Sequence, residues 1–109
     1  MIRHIVLLRA RPDVSDARMT EIFADLPAIA AQVPGFLGFC AGRSESPEKI
    51  ERGYRHGFTI DFAGWDALAT YAAHPAHVRF SASLVAAAEG GIEGILVFDL
   101  PCPDHPEAG

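Results

Sequence analysis

The chain has 109 residues, half of them hydrophobic, and carries nine basic against fourteen acidic side chains for a net charge of -5. That length fits a single domain. Lys49 is the only lysine, so there is no cationic stripe to neutralise phosphates or grip an anionic bilayer, which argues against nucleic acid and membranes as partners.

An apolar fraction this high in a small domain predicts that part of its surface is covered by a second copy of the chain. Residues 1–10 carry charge at Arg3 and Arg9 and hold no long apolar core, as expected of a cytoplasmic protein without signal peptide or membrane span. Cys40 and Cys102 have no framework spacing and read as reduced bystanders.

Residues 2–10 form a strand signal with Ile2, His4, Val6 and Leu8 on one face and Arg3, Ile5, Leu7 and Arg9 on the other. Pro12 breaks it. Ser15 is the expected N-cap of a helix with Asp16 in its first turn. Met19, Ile22, Phe23, Leu26, Ile29, Ala30 and Val33 then recur at helical spacing. Pro27 falls inside this stripe, where it costs roughly 3 kcal/mol in an ideal helix, so a kink or two shorter helices are expected. Pro34-Gly35 ends the element.

Residues 36–42 read as a second strand weakened by glycines, and residues 43–53 as a polar loop. Residues 54–62 give the clearest strand, with Tyr54, His56, Phe58, Ile60 and Phe62 on one face. A short helix over 65–73 stops before Pro75. A second, with Pro75 at its first position, runs to residue 88. Gly90-Gly91 breaks it, and residues 92–100 form the last strand. Residues 101–109, with three prolines, form a tail outside the 1–100 domain.

The order β-α-β-β-α-β, with the second helix broken at Pro75, predicts a ferredoxin-like α+β fold. Its four-stranded antiparallel sheet has helices on one face. Ile5, Leu7, Ile95 and Val97 are the apolar side chains expected on the uncovered face, and pairing that face with a second copy gives a two-fold homodimer.

Four of the five histidines fall in apolar or ordered stretches, where an imidazole needs a partner. His77 is expected in the first turn of the helix begun by Pro75, where the macrodipole disfavours imidazolium and leaves a neutral base suited to proton abstraction beside a carbonyl. Its bland reading is a ring that holds the helix junction through a backbone carbonyl. The Tyr71 hydroxyl is a candidate carbonyl donor, or else a buried anchor. His4 and Asp99 are expected to meet because the last strand runs antiparallel beside the first, and the carboxylate would then fix the imidazole tautomer. Structural pinning of the sheet is the alternative.

Tyr54, His56, His74 and Phe80 are the further candidates for contacting a ligand. His56 is alternatively a satisfied core histidine, and His74 a cap on the helix junction. His74 and His77 lack further ligands at usual spacing, so no metal is expected. Gly90-Gly91 lacks the rest of a phosphate-binding loop.

Four stretches together resemble the Dabb family of stress-responsive dimeric α/β-barrel proteins: Arg3-His4-Ile5-Val6-Leu7-Leu8, Gly53-Tyr54-Arg55-His56-Gly57-Phe58, Tyr71-Ala72-Ala73-His74-Pro75-Ala76-His77 and Leu96-Val97-Phe98-Asp99. The resemblance spans residues 2–100. It implies a ferredoxin-like protomer whose sheets pair into a barrel-shaped dimer. One plant branch of the family cyclises linear polyketides by aldol condensation without a cofactor. Its essential tyrosine and histidine match Tyr71 and His77, its further pocket histidines match His4 and His56, and its terminal-strand acid matches Asp99. The alanine-rich helix after Trp65 departs from that branch.

The expected function is therefore binding of a small apolar carbonyl or phenolic ligand in a helix-sheet pocket. The accompanying chemistry would be cofactor-free aldol-type cyclisation or a related lyase step. The alternatives are a non-catalytic stress-response or ligand-carrier protein, and a cofactor-independent monooxygenase.

Overall fold

The computed structural model describes residues 1–103. Strand β1 (Ile2–Leu8) alternates strictly, with its even residues buried and its odd ones half-buried. Its β-rich, two-sided apolar sequence suits an interior position, and it takes one. The sheet order is β2-β3-β1-β4, with β2 (Phe36–Arg43), β3 (His56–Phe62) and β4 (Ile95–Pro101), and every neighbouring pair is antiparallel. The chain therefore has the ferredoxin-like β-α-β-β-α-β architecture.

Pro27 resolves the first helical stretch into two pieces, α1 (Asp16–Phe23) and α2 (Leu26–Ala30), with the proline in the first turn of α2, where its missing N–H costs no helical bond. The Ser15 side chain accepts the Arg18 N–H at 3.1 Å as the N-cap of α1. The apolar stripe survives the break: Met19, Ile22, Phe23, Leu26, Ile29 and Val33 are all buried.

In the same helix layer, α3 (Trp65–Ala73) and α4 (Pro75–Ala87), the latter packed against α1, meet at His74, whose extended backbone is the conformation a residue before proline prefers. Their Tyr71, Phe80 and Leu84 join Phe58, Ile60 and Phe62 of β3 and the α1–α2 stripe in one core. Trp65, at the start of α3, is largely exposed. Among the described residues no helix is long and apolar enough to cross a membrane.

The last strand departs from expectation at both ends. It begins at Ile95, because Gly91–Gly94 forms a 3-10 turn entered through the positive φ of Gly90. It continues to Pro101, and the Met1 and Cys102 backbones bond each other beyond it. Of the expected tail, residues 104–109 lie outside the described residues.

The register corrects the uncovered face as well. Val6 faces Val97 and Leu8 faces Ile95, so both β4 residues share the helix side. Directly opposed residues of an antiparallel pair point the same way. The apolar side chains that join Ile5 and Leu7 on the uncovered face are instead Leu96, Phe98 and Leu100, with exposures of 39%, 54% and 42%.

Gly94 closes the 3-10 turn under tight constraint. A Cβ there would lie 2.4 Å from the Glu89 carbonyl oxygen and 3.1 Å from the Glu89 nitrogen, and neither backbone atom can swing away. Gly94→Ala is expected to destabilise the fold by about 1–3 kcal/mol, read as a lower urea midpoint with unchanged slope. Gly38→Ala, where a Cβ meets nothing within 4 Å, provides the matched control.

Candidate functional site

The register that sets the faces of β4 also places Asp99 beside His4. The His4 Nδ1 lies 2.5 Å from an Asp99 carboxylate oxygen, with the imidazole nearly buried and the carboxylate partly open. A carboxylate accepts, so Nδ1 carries the proton and Nε2 is the nitrogen left for other partners. The imidazole is wedged among rings: Phe62 at 6.0 Å, Phe58 at 6.4 Å and Tyr71 at 5.7 Å between centroids.

Tyr71 comes from the last turn of α3 and is 1% exposed. Burial pushes its phenol well above the usual value, so it stays protonated across the physiological range and acts only as a neutral group. Among the described residues its hydroxyl makes no hydrogen bond. The His77 ring packs on Tyr71 at 4.4 Å between centroids.

In the first turn of α4, the His77 Nδ1–H donates to the Ala72 carbonyl at 3.0 Å. The bond ties α4 to α3 as the bland reading expects, and it also decides the tautomer. With the proton on Nδ1, the lone pair sits on Nε2. Burial lowers the His77 pKa below the ordinary value; the Ala72 bond raises it in part, and the charge of His4 lowers it further. His77 is thus a neutral base near pH 7.

His4, Tyr71, His77 and Asp99 line one cavity of about 400 Å³ between α3, α4 and the inner side of β1 and β4. Its remaining wall is mostly apolar, from Val6, Phe58, Leu68, Leu84, Ile95 and Val97. Val97 stays 55% exposed although it faces the helix side, which marks the β4 edge as the open mouth.

The four other candidates lie elsewhere. His56 is across from Leu8, four positions along β3 from the Ile60 that faces His4. That separates them by about 13 Å at the usual strand rise. The His56 Nε2 pairs with Asp16 at 2.9 Å, and its Nδ1 is buried without a partner. Arg43, then His56, hold the Asp16 carboxyl below the usual range.

Tyr54 falls in the turn before β3, under the Arg9 guanidinium at 5.0 Å. His56 and Tyr54 border a separate depression at that end of the sheet. Phe80 is fully buried against Phe58. His74 caps α4, its Nδ1 accepting the Ala76 N–H at 3.0 Å.

The sequence reading missed Ser81 and Ile92, which also line the cavity. Ser81 stands one helical turn beyond His77, a spacing that marks a shared face; Ile92 carries no such signal, because its sequence reads as the start of the last strand. Among the described residues no three His, Cys, Asp or Glu side chains converge as a metal ion requires.

The sequence profile of the Stress Responsive A/B Barrel Domain, Dabb, matches residues 2–102. The chain belongs to the Dabb family. A dimeric ferredoxin-like protein of unknown function from Jannaschia sp. CCS1 is 35% identical and superposes with a TM-score of 0.86, covering 93% of this chain and 98% of that one. Stress-response A/B barrel domain-containing protein HS1 of Arabidopsis thaliana is 29% identical over 90% of this chain and 86% of its own length. Olivetolic acid cyclase of Cannabis sativa is 24% identical over 72% of this Dabb chain and 78% of its own.

Proposed function

We propose that this Dabb protein is a homodimer that binds a small apolar carbonyl or phenolic ligand in the His4–Tyr71–His77–Asp99 cavity and promotes its enolisation without a cofactor. The observation that carries this reading is the pairing, across one apolar cavity, of a neutral imidazole base with a phenol held protonated by burial. His77 Nε2 takes a proton from the carbon beside the carbonyl. The electron pair moves onto the carbonyl oxygen, where the Tyr71 O–H donates to the enolate. In a ligand with a second carbonyl, the enolate carbon attacks it to form a C–C bond, and the His77 imidazolium returns its proton to the new alkoxide. The His4–Asp99 pair fixes the third ring of the cavity. The similarity to olivetolic acid cyclase supports the ring-closing version.

The homodimer reading rests on the apolar face of Leu96, Phe98 and Leu100 and on the similarity to the dimeric Jannaschia protein.

The test is to titrate neutral aryl ketones while recording the imidazole NMR signals. The signals of His4 and His77 are expected to shift and saturate together, while those of His56 and His74, held outside the cavity, stay in place. No saturable shift at millimolar ketone refutes the cavity as a ligand site. Saturable binding without hydrogen exchange at the ligand's α-carbon assigns the protein to the carriers instead.

A further inference from the structure

Two properties of the cavity lie beyond its base and donor. Ser81 follows His77 by four residues on α4, so the two side chains share a helix face about one turn, ~5.4 Å, apart, and both line the cavity. The neighbouring Ser83 hydroxyl donates back to the Arg79 carbonyl. The Ser81 hydroxyl makes no hydrogen bond among the described residues, although the side chain is half-buried. A hydroxyl in that position is available to a ligand atom displaced from His77 by a helical turn.

The second property is electrostatic. No lysine or arginine among the described residues lines the cavity, and its one carboxylate is Asp99. The His4–Asp99 pair carries a net negative charge when the imidazole is neutral and none when it is protonated. In neither state is the pair net positive. His77 is held toward neutrality by burial. A carboxylate entering this space loses its hydration and meets no counter-ion.

We infer that the cavity selects uncharged ligands bearing a second oxygen, which Ser81 receives, and turns away carboxylates. The inference rests on the ligand-binding reading above and names the substrate class of that site. The chemistry is that of a neutral hydroxy-carbonyl or dicarbonyl compound. A free acid or an acid product would leave readily rather than be retained.

Four matched probes test it by calorimetry and NMR just below neutral pH: acetophenone, para-hydroxyacetophenone, para-acetylbenzamide and para-acetylbenzoate. The amide is expected to bind at least ~10-fold more tightly than the carboxylate of the same shape, and Asp99→Asn to narrow that gap. Ser81→Ala is expected to weaken para-hydroxyacetophenone by about 2- to 10-fold, bringing it level with acetophenone, whose own binding stays unchanged.

A carboxylate bound as tightly as the amide overturns the charge selection. A Ser81→Ala loss shared equally by acetophenone overturns the Ser81 contact, because it reports a change in shape rather than a lost hydrogen bond. In both cases binding of the neutral ketones leaves the ligand-site reading intact. Failure of all four probes to bind removes that reading and this inference with it.

Discussion

Replacing His77 with alanine is expected to slow α-hydrogen exchange of a bound ketone in D2O by ~10²–10⁴-fold, the range that a positioned general base contributes. Exchange at the α-carbon reports the proton abstraction itself and needs no knowledge of the natural ligand. His77→Gln separates chemistry from structure. Its amide can still donate to the Ala72 carbonyl that ties α3 to α4, but it is no base, so the fold is held while exchange stays lost. Tyr71→Phe is expected to cost ~10²–10³-fold, as loss of an oxyanion donor does.

The pH profile supplies a sign. Only neutral imidazole accepts a proton, and burial sets the His77 pKa below its ordinary 6.5. Wild-type exchange should therefore rise as pH climbs through a value under 6.5 and be level by neutrality. A rise centred above 6.5, or a profile that survives in His77→Ala, assigns the base to another group.

How much of this site the sequence discloses depends on which physical rule each residue obeys. The strand β3 alternates apolar rings and polar side chains with period two, so the inward face of His56, Phe58 and Ile60 is legible directly. His77 is equally legible, because Pro75 can occupy only the start of a helix and so sets the histidine in its first turn. β4 is different. Its run Ile-Leu-Val-Phe-Asp-Leu is apolar at both parities, so alternation is silent and the face of Val97 or Phe98 follows only from register. The antiparallel pairing of His4 with Asp99 already contains the answer, since partners share a face. Ile95 and Val97 must then lie inward with Asp99.

His56 shows the opposite limit. Its inward face is readable, but its distance along β3 from the other rings and its capture by Asp16 are tertiary facts. Asp16, read from the sequence as a first-turn acid answering the helix dipole, also binds His56 and Arg43. Composition gives no hint of that triple duty, because the two partners lie 40 and 27 residues away along the chain.

The second large effect concerns the uncovered side of the sheet. Phe98 sits across from Ile5 at the centre of β1 and β4 and is 54% exposed, with Leu96 and Leu100 two residues to either side. A phenyl ring so placed in the protomer adds little to its core, but at a two-fold sheet-to-sheet interface it is buried twice over, once per copy. Phe98→Asp then removes two apolar contacts and sets two carboxylates in a dry interface. The effective penalty is several kcal/mol for each buried ion, enough to raise the dimer dissociation constant by more than ~10³-fold.

The expected result by sedimentation velocity is a dimer for the wild type and a folded monomer for Phe98→Asp at micromolar concentration. Val78→Asp places the same charge at an equally exposed apolar position, 58% open, on the helix layer, and should remain dimeric. A wild-type monomer, or a Phe98→Asp variant that sediments as the wild type does, removes the sheet face as the interface. Loss of the dimer in Val78→Asp alone moves the interface to the helices. The two substitutions share chemistry and exposure and differ only in which layer they mark, so the comparison reads out the face that a second copy covers.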